Sequence, residues 1–406
     1  MRVKQGFKFR LKTNSVQEQA FRRTAGCARF VWNRALDLQK ARLADKNAKM
    51  LSLTKLTNLL PGWKSEFSWL KEAPSQVLQQ SLRDLDRAFQ NFFKRSAKFP
   101  RFKKRRGNSS FRYPQGCRLD QEHSRIFLPK VGWVRYFNSR AIPGVVKNVT
   151  VSEICGKWYI SVQTEREVDI PIHPKIKECV GLDMGISRFC TCSDGTYVLP
   201  LNSFKRLEKK LAREQRKLAK KTKFSANWKK QKARITRLHH RIACCRKDFL
   251  HKLSTDLADR YGTICVEDLS VKNMTKSASG TVENPGRNVR AKSGLNRSIS
   301  DQGWSTFLGM LSYKLEMRGG SLIRVPAQYT SQTCSVCGYC DPENRKSQAK
   351  FACKICGHED NADVNAARNI CTLGLEGNLR YLRDRTVSQK QEPVPDPRQL
   401  ARSLVV

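Results

Sequence analysis

Residues 1–12 alternate strictly. Val3, Phe7, Phe9 and Leu11 stand against Arg2, Lys4, Lys8, Arg10 and Lys12, which predicts a β-strand with one strongly basic face. From Ser15 and residues 17–19 the period changes, and Phe21, Cys27, Ala28, Phe30, Val31, Ala35 and Leu38 predict a helix over 15–47. Pro61-Gly62 predicts a break. After Pro74, Val77, Leu78, Leu82, Leu85, Phe89 and Phe92 face one way in a second long helix, 75–94. Residues 13–96 therefore read as a small helical subdomain.

The run KFPRFKKRR (98–106) reads as a loop because of its proline and the Gly107-Asn108 that follows. Strand signals separated by Gly, Pro and Asn turns fill 110–170, and with the N-terminal strand they predict a small β-barrel or sandwich interrupted by the helices. Residues 176–200 predict two paired strands around an Asp194-Gly195 turn. Two amphipathic helices with a turn near 222–227 follow, then an apolar strand in 261–269. Residues 270–299 are rich in Ser, Asn, Gly and Lys and predict a mobile segment. A helix over 300–319 and a strand over 321–325 follow, and 375–406 thin into a polar tail expected to be disordered.

Charge narrows the partners. The chain of 406 residues carries 78 Lys and Arg against 35 Asp and Glu, a net +43, and 201–260 alone hold 20 basic and 5 acidic residues. Such an excess destabilises a compact state by self-repulsion unless a polyanion neutralises it. Nucleic acid is the leading partner. An anionic membrane surface is the weaker one, since the basic residues are spread along the chain and no run of 18 apolar residues exists. Most of the fifteen cysteines are scattered singly, which suits a reducing compartment. No signal peptide is read at the N-terminus.

Two cysteine pairs are not scattered. Cys334/Cys337 and Cys353/Cys356 are CxxC knuckles fifteen residues apart, each followed by a glycine (Gly338, Gly357). Four thiolates so spaced can close a tetrahedral shell around one Zn²⁺. Cys340 and His358 lie nearby but are not needed. Directly after the second knuckle a short helix, 361–370, carries Asp363 in its first turn. Asp183 in VGLDMGI and Glu267 in GTICVEDL are charges set in apolar strands, where burial is costly. Taken singly, each acid has an ordinary reading: a turn residue, a strand-exit pair with Asp268, and a dipole-favoured acid beside an N-cap at Asp360. Together, strand acid, strand acid and helix acid are in the chain order of an RNase H-like nuclease core that holds two divalent ions, for which Mg²⁺ is suited.

VGLDMGI, VEDL-x-x-x-NM, the SQTCSVCG…CKICG ribbon and DNADVNAARNI resemble TnpB, the family of transposon-encoded RNA-guided DNA nucleases related to type V CRISPR effectors. The N-terminal LKTNSVQEQAFRRTAGCARFVWNRAL, PSQVLQQSLRDLDRAFQNFFKR and KFPRFKKRRGNSSFR match as well, so the resemblance spans roughly 1–373. It implies an α+β multidomain fold. A wedge-type β-barrel takes 1–12 and 108–172, and a helical recognition insert 13–107. A RuvC-like nuclease core takes 173–329 and 359–374, with 270–299 as a lid loop, and a zinc ribbon 330–358. It implies catalysis by Asp183, Glu267 and Asp363 on two Mg²⁺ ions, a structural zinc, a guide RNA, a double-stranded DNA target with a short flanking motif, a monomer, and a prokaryotic cytoplasmic setting on the nucleoid. Specificity is expected from base pairing, with Lys and Arg holding the heteroduplex backbone. Ser75, Gln76, Gln79 and Gln80 are expected to contact base edges. Phe99, Arg101, Phe102, Lys103, Lys104, Arg105 and Arg106 are expected to grip backbone. The same residues also admit an RNA-guided binder that does not cut, or a strand-transfer transposase.

Overall fold

The N-terminal alternation forms β1 (Arg2–Lys12), with Phe7, Phe9 and Leu11 buried. The computed structural model describes residues 1–45, 48–105, 109–347 and 349–389, the side chains as far as 376. It divides into two units, residues 1–169 and residues 170 onward.

In the first unit β1 joins β2 (Ser110–Tyr113), β3 (Arg118–Asp120), β4 (Arg125–Leu128), β5 (Gly132–Tyr136), β6 (Val145–Ile154) and β7 (Lys157–Glu167) in one antiparallel sheet ordered β2-β6-β7-β1-β5-β4-β3. β1 pairs with β7 through Arg10 and passes to β5 at Leu11 and Lys12. The helix α1 (Ser15–Ala44) starts at a capping box: the Asn14 side chain accepts from the Gln17 amide at 2.8 Å, and the Gln17 side chain accepts from the Asn14 amide at 3.2 Å. One side of α1 packs Phe21, Ala25 and Ala28 on the sheet core. The other packs Val31, Trp32 and Leu36 against α2 (Leu53–Asn58), α3 (Leu60–Glu66) and α4 (Ser75–Phe93). The expected break at Pro61-Gly62 falls between two helices: α2 ends at Asn58, and Pro61 stands in the first turn of α3, where a residue without an N–H costs nothing.

The second unit is built on a five-stranded sheet of β8 (Cys179–Asp183), β9 (Cys190–Cys192), β10 (Tyr197–Val198), β11 (Thr263–Glu267) and β12 (Ser321–Val325), ordered β10-β9-β8-β11-β12. β8, β11 and β12 are parallel, and β9 runs antiparallel to β8. Helices α5 (Ser203–Ala219) and α6 (Ala226–Arg260) form the expected hairpin, tied by Gln231 Nε2 donating to Glu214 Oε2 at 2.7 Å. α7 (Val271–Met274), α8 (Val289–Gln302), α9 (Trp304–Glu316), a hairpin of β13 (Lys350–Ala352) and β14 (Glu359–Asn361), and α10 (Ala362–Gln389) complete it.

Three expectations differ here. The predicted mobile segment 270–299 contains α7 and most of α8. Lys292 Nζ donates to the Met274 carbonyl at 2.8 Å and Asn296 Nδ2 to the Thr275 carbonyl at 3.1 Å, so polar side chains hold a helix that has few apolar positions to announce it. The single helix expected over 300–319 is divided at Gly303, whose φ of +72° suits glycine. The tail expected from 375 instead continues α10 to Gln389, since no proline interrupts 375–389. Residues 390–406 lie outside the described residues. Among the described residues no helix is long and apolar enough to cross a membrane.

Candidate active site

β8 and β11 are buried on both faces, so alternate residues report which face is which. Val180, Leu182, Ile264 and Val266 enter one core with α6 and α9. Cys179, Gly181 and Cys265 face the other way, Cys265 packing with Ile370 of α10. The approach is close: a Cβ on Gly181 would lie 1.9 Å from the Ala367 carbonyl oxygen, so only glycine lets α10 lie on β8. Period 2 places Asp183 and Glu267 on this same α10 face. Leu182 pairs with Val266, so the two acids close adjacent parallel strands one step further along. Asp363 stands in the first turn of α10, whose start is capped by Asn361: its Oδ1 accepts from the Asp363 amide at 3.1 Å. Asp360, read as the N-cap, instead accepts from Arg368 at 2.6 Å. Asp268 pairs with Arg324 at 3.1 Å.

The three acids share one electrostatic field. Burial, then the charges of Glu267 and Asp363, push the Asp183 carboxyl up to about 7, with Arg345 pulling the other way. Burial raises Glu267 too, opposed by the Thr330 hydroxyl, which donates to its Oε1 at 2.6 Å. Arg345 Nη2 lies 3.7 Å from Asp363 Oδ1. Arg345 and Thr330 had no signal in the sequence, because each comes from a loop remote along the chain. A half-buried carboxylate raised by two others is the donor set that a divalent cation stabilises.

The knuckles contrast with this. Sγ of Cys334 and Cys356 are 3.6 Å apart, as are those of Cys337 and Cys353. The four form the only group of three or more His, Cys, Asp or Glu ligand atoms within 4.8 Å of one another among the described residues. A tetrahedral shell of ~2.3 Å zinc–sulfur bonds has edges of roughly 3.8 Å, so the cysteines fit Zn²⁺ as they stand. Each turn closes through its glycine: the Gly338 amide donates to the Cys334 carbonyl at 2.9 Å and Gly357 to Cys353 at 3.1 Å, both with positive φ. Cys340 and His358 stay outside the group.

Two residues not singled out from sequence join knuckle to helix. Asn365, two residues after Asp363, donates to the Thr333 carbonyl at 2.7 Å and accepts from the Ser335 amide at 2.9 Å. Asn369 donates to the carbonyls of Thr330 at 2.8 Å and Thr333 at 2.7 Å. Both are buried. Their i, i+4 spacing in a helix otherwise lined with alanine was the available clue.

The expected nucleic-acid residues of the first unit are placed unevenly. Ser75 is exposed, its Oγ bonded to Lys64 Nζ at 2.6 Å, and Gln76 and Gln79 are half-buried. Gln80 turns inward and donates to Asp84 at 3.0 Å. Phe99 packs edge-on against Phe89 and Phe92 in the helical core, which explains its aromatic character without a ligand. Lys103 Nζ sits 3.7 Å from the Trp32 ring centroid, and burial lowers its pKa. Arg101, Phe102, Lys104 and Arg105 are exposed, and Arg106 lies outside the described residues.

Three family models match the chain: "Probable transposase" over 159–278, "Cas12f1-like, TNB domain" over 304–370 and "Helix-turn-helix domain" over 1–47. Residues 1–45 form one strand and one 30-residue helix. A protein of Escherichia coli (strain K12) named "Putative RNA-guided DNA endonuclease InsQ" is 56% identical over 376 residues, covering 92% of this chain and 93% of its own. A Streptomyces pristinaespiralis protein named "Putative RNA-guided DNA endonuclease" is 33% identical over 384 residues, with 92% and 90% covered. The solved "Cryo-EM structure of the Cas12f1-sgRNA-target DNA complex" aligns over 91% of this chain and 99% of that one, with a TM-score of 0.54 at 13% identity, a likeness of fold.

Proposed function

The chain belongs to the TnpB family, and on that footing we propose that it is an RNA-guided, metal-dependent endonuclease that cuts double-stranded DNA beside a short flanking motif. The observation that carries this is the placement of Asp183, Glu267 and Asp363: two acids closing adjacent parallel strands, on the face that meets the helix carrying the third, with Asp183 raised by burial and then by the charges of the other two. The five-stranded sheet is read as the RuvC-like, RNase H-type core, with 330–358 as its zinc ribbon. The seven-stranded sheet of the first unit is read as the wedge barrel, with 13–107 as its recognition insert.

Asp183, Glu267 and Asp363 would hold two Mg²⁺ ions. When bound, these supply an activated water and neutralise the charge that grows on the leaving 3′ oxygen. The protein's own part is positional. β8 and β11 hold Asp183 and Glu267 one strand spacing apart, and the sheet under them keeps that spacing fixed. The knuckle, through Asn365 and Asn369, sets where the first turn of α10 stands. Arg345 holds the Asp363 carboxylate by charge, and Thr330 orients Glu267. Guide pairing selects the DNA, and the basic hairpin α5–α6 and the strip 101–105 contact backbone phosphates.

The test uses the purified ribonucleoprotein with Mg²⁺ and a matched DNA duplex. Cutting that is lost in Asp183→Ala, with DNA binding kept, supports the reading. DNA binding by the wild type without any cutting would instead support an RNA-guided binder. Cutting undiminished after RNase digestion of the complex, with strand-transfer products, would overturn guidance.

A further inference from the structure

On the α10 face of the sheet, behind the carboxylates, three thiols meet. Sγ of Cys179 on β8 lies 3.2 Å from that of Cys371 on α10 and 3.7 Å from that of Cys265 on β11. Glycines flank them. A Cβ on Gly181 would come 2.7 Å from the Cys371 amide nitrogen, and one on Gly374 would come 2.2 Å from Cys265 Sγ. The two layers are thus pressed together where the thiols lie, and Cys179 and Cys371 are closer than the 3.6 Å knuckle pairs. Cys265 is buried, while Cys179 and Cys371 are partly accessible. The three do not form a metal-type cluster by the spacing that defines the knuckle. Neither the carboxylate chemistry nor the zinc shell uses them.

We propose that Cys179 and Cys371 are an oxidative modification site, at which hydrogen peroxide converts the pair to a disulfide that staples α10 to β8. The Cys371 thiolate attacks one peroxide oxygen, the O–O bond breaks, and hydroxide leaves to become water with the thiol's proton. The sulfenic acid so formed is attacked by the Cys179 thiol. The S–S bond forms and a second water leaves. Two sulfurs lose two electrons in total, and the peroxide gains them. Hydrogen bonding from Cys179, then Cys265, holds the Cys371 thiol well below its ordinary value, which suits it as the attacking group. The staple joins the strand that ends in Asp183 to the helix that begins at Asp363. Its effect on cleavage therefore rests on the proposed function, while its formation does not.

The experiment treats the full-length, zinc-loaded ribonucleoprotein with hydrogen peroxide, maps disulfides by mass spectrometry, and follows amide exchange across 362–375. A Cys179–Cys371 linked peptide is expected, with exchange in that segment slowed at least ~10-fold and restored by dithiothreitol. Cys179→Ser and Cys371→Ser should each lose both signals, and Cys265→Ser should keep them. Linkage of Cys179 to Cys265, linkage only within the knuckle, no linkage at all, or slowing that persists in Cys371→Ser would each overturn the proposal. Since cleavage is not the readout, a negative result here leaves the nuclease reading untouched, and the reverse holds too.

Discussion

The knuckle and the carboxylate site lie on the two sides of α10's first turns, and both gather negative groups. They do so by opposite means. The four thiolates are brought together by two short turns, and each turn closes its own hydrogen bonds. The three carboxylates come from residues 183, 267 and 363, and only sheet pairing and helix docking unite them. The knuckle is arranged to be satisfied by one ion. Burial, then the charges of Glu267 and Asp363, raise Asp183 to about 7, so the fold carries a cost at that carboxyl that a bound cation would relieve. The contrast separates a site that stabilises structure from one that the structure pays to maintain.

The largest expected effect comes from removing a carboxylate. Asp183→Ala should lower cleavage more than ~100-fold, beyond what outer-shell changes at metal sites cause, with target binding within a few-fold of wild type in a filter or gel assay. Equal loss of binding would mean Asp183 is structural after all. Opening the knuckle comes next. Cys353→Ser or zinc chelation should free residues 330–360, read as rapid amide exchange there, and depress cleavage because Asn365 and Asn369 lose their partners. If exchange stays slow without zinc, the knuckle closes on its hydrogen bonds alone. Asn369→Ala removes the side-chain donor to the Thr330 carbonyl and one of the two to Thr333, which keeps Asn365. We expect about 1–3 kcal/mol lost in thermal stability of the second unit and a ~10- to 100-fold slower cut with zinc retained.

A pH series sharpens the cost. The native Asp183 carboxyl holds its proton to about 7 against 3.8 in its ordinary state, so the native state binds more protons between those values and stability falls as pH rises through them. Without Mg²⁺, Asp183→Asn should melt higher than wild type above pH 7. The gap should vanish below about pH 4, and Mg²⁺ should narrow it at neutral pH by stabilising the wild-type charges. A pH-independent gap would remove the buried Asp183 charge as the cause. The smallest effect belongs to Arg345→Ala. Its half-exposed pairing with Asp363 at 3.7 Å should contribute under ~1 kcal/mol to melting.

Much of the carboxylate site could be suspected before the fold was known, because a charge in VGLDMGI or GTICVEDL is out of place in an apolar strand. Its supports could not. Thr330 and Arg345 are ordinary loop residues whose role exists only where the chain passes the strand ends. Phe99 is expected as a nucleic-acid contact, and in the fold its partly buried ring packs edge-on against Phe89 and Phe92; aromatic-basic runs look alike in both uses. The helix α8 was missed because its hydrogen bonds come from Lys292 and Asn296 rather than from an apolar stripe.

By itself the amino-acid sequence determined what depends on neighbours a few residues apart: the alternation of β1, the capping box of α1, the α5–α6 hairpin and the spacing of the thiolate knuckles. Only the tertiary structure decided which face of β8 and β11 meets α10, that Gly181 permits that approach, that Asn365 and Asn369 bind the knuckle, and that Cys179 and Cys371 lie side by side. The reason is range. Dihedral preference and side-chain period act within a turn or two. Contacts between residues some two hundred positions apart are selected by packing and by the pairing of buried polar groups, which no local pattern encodes.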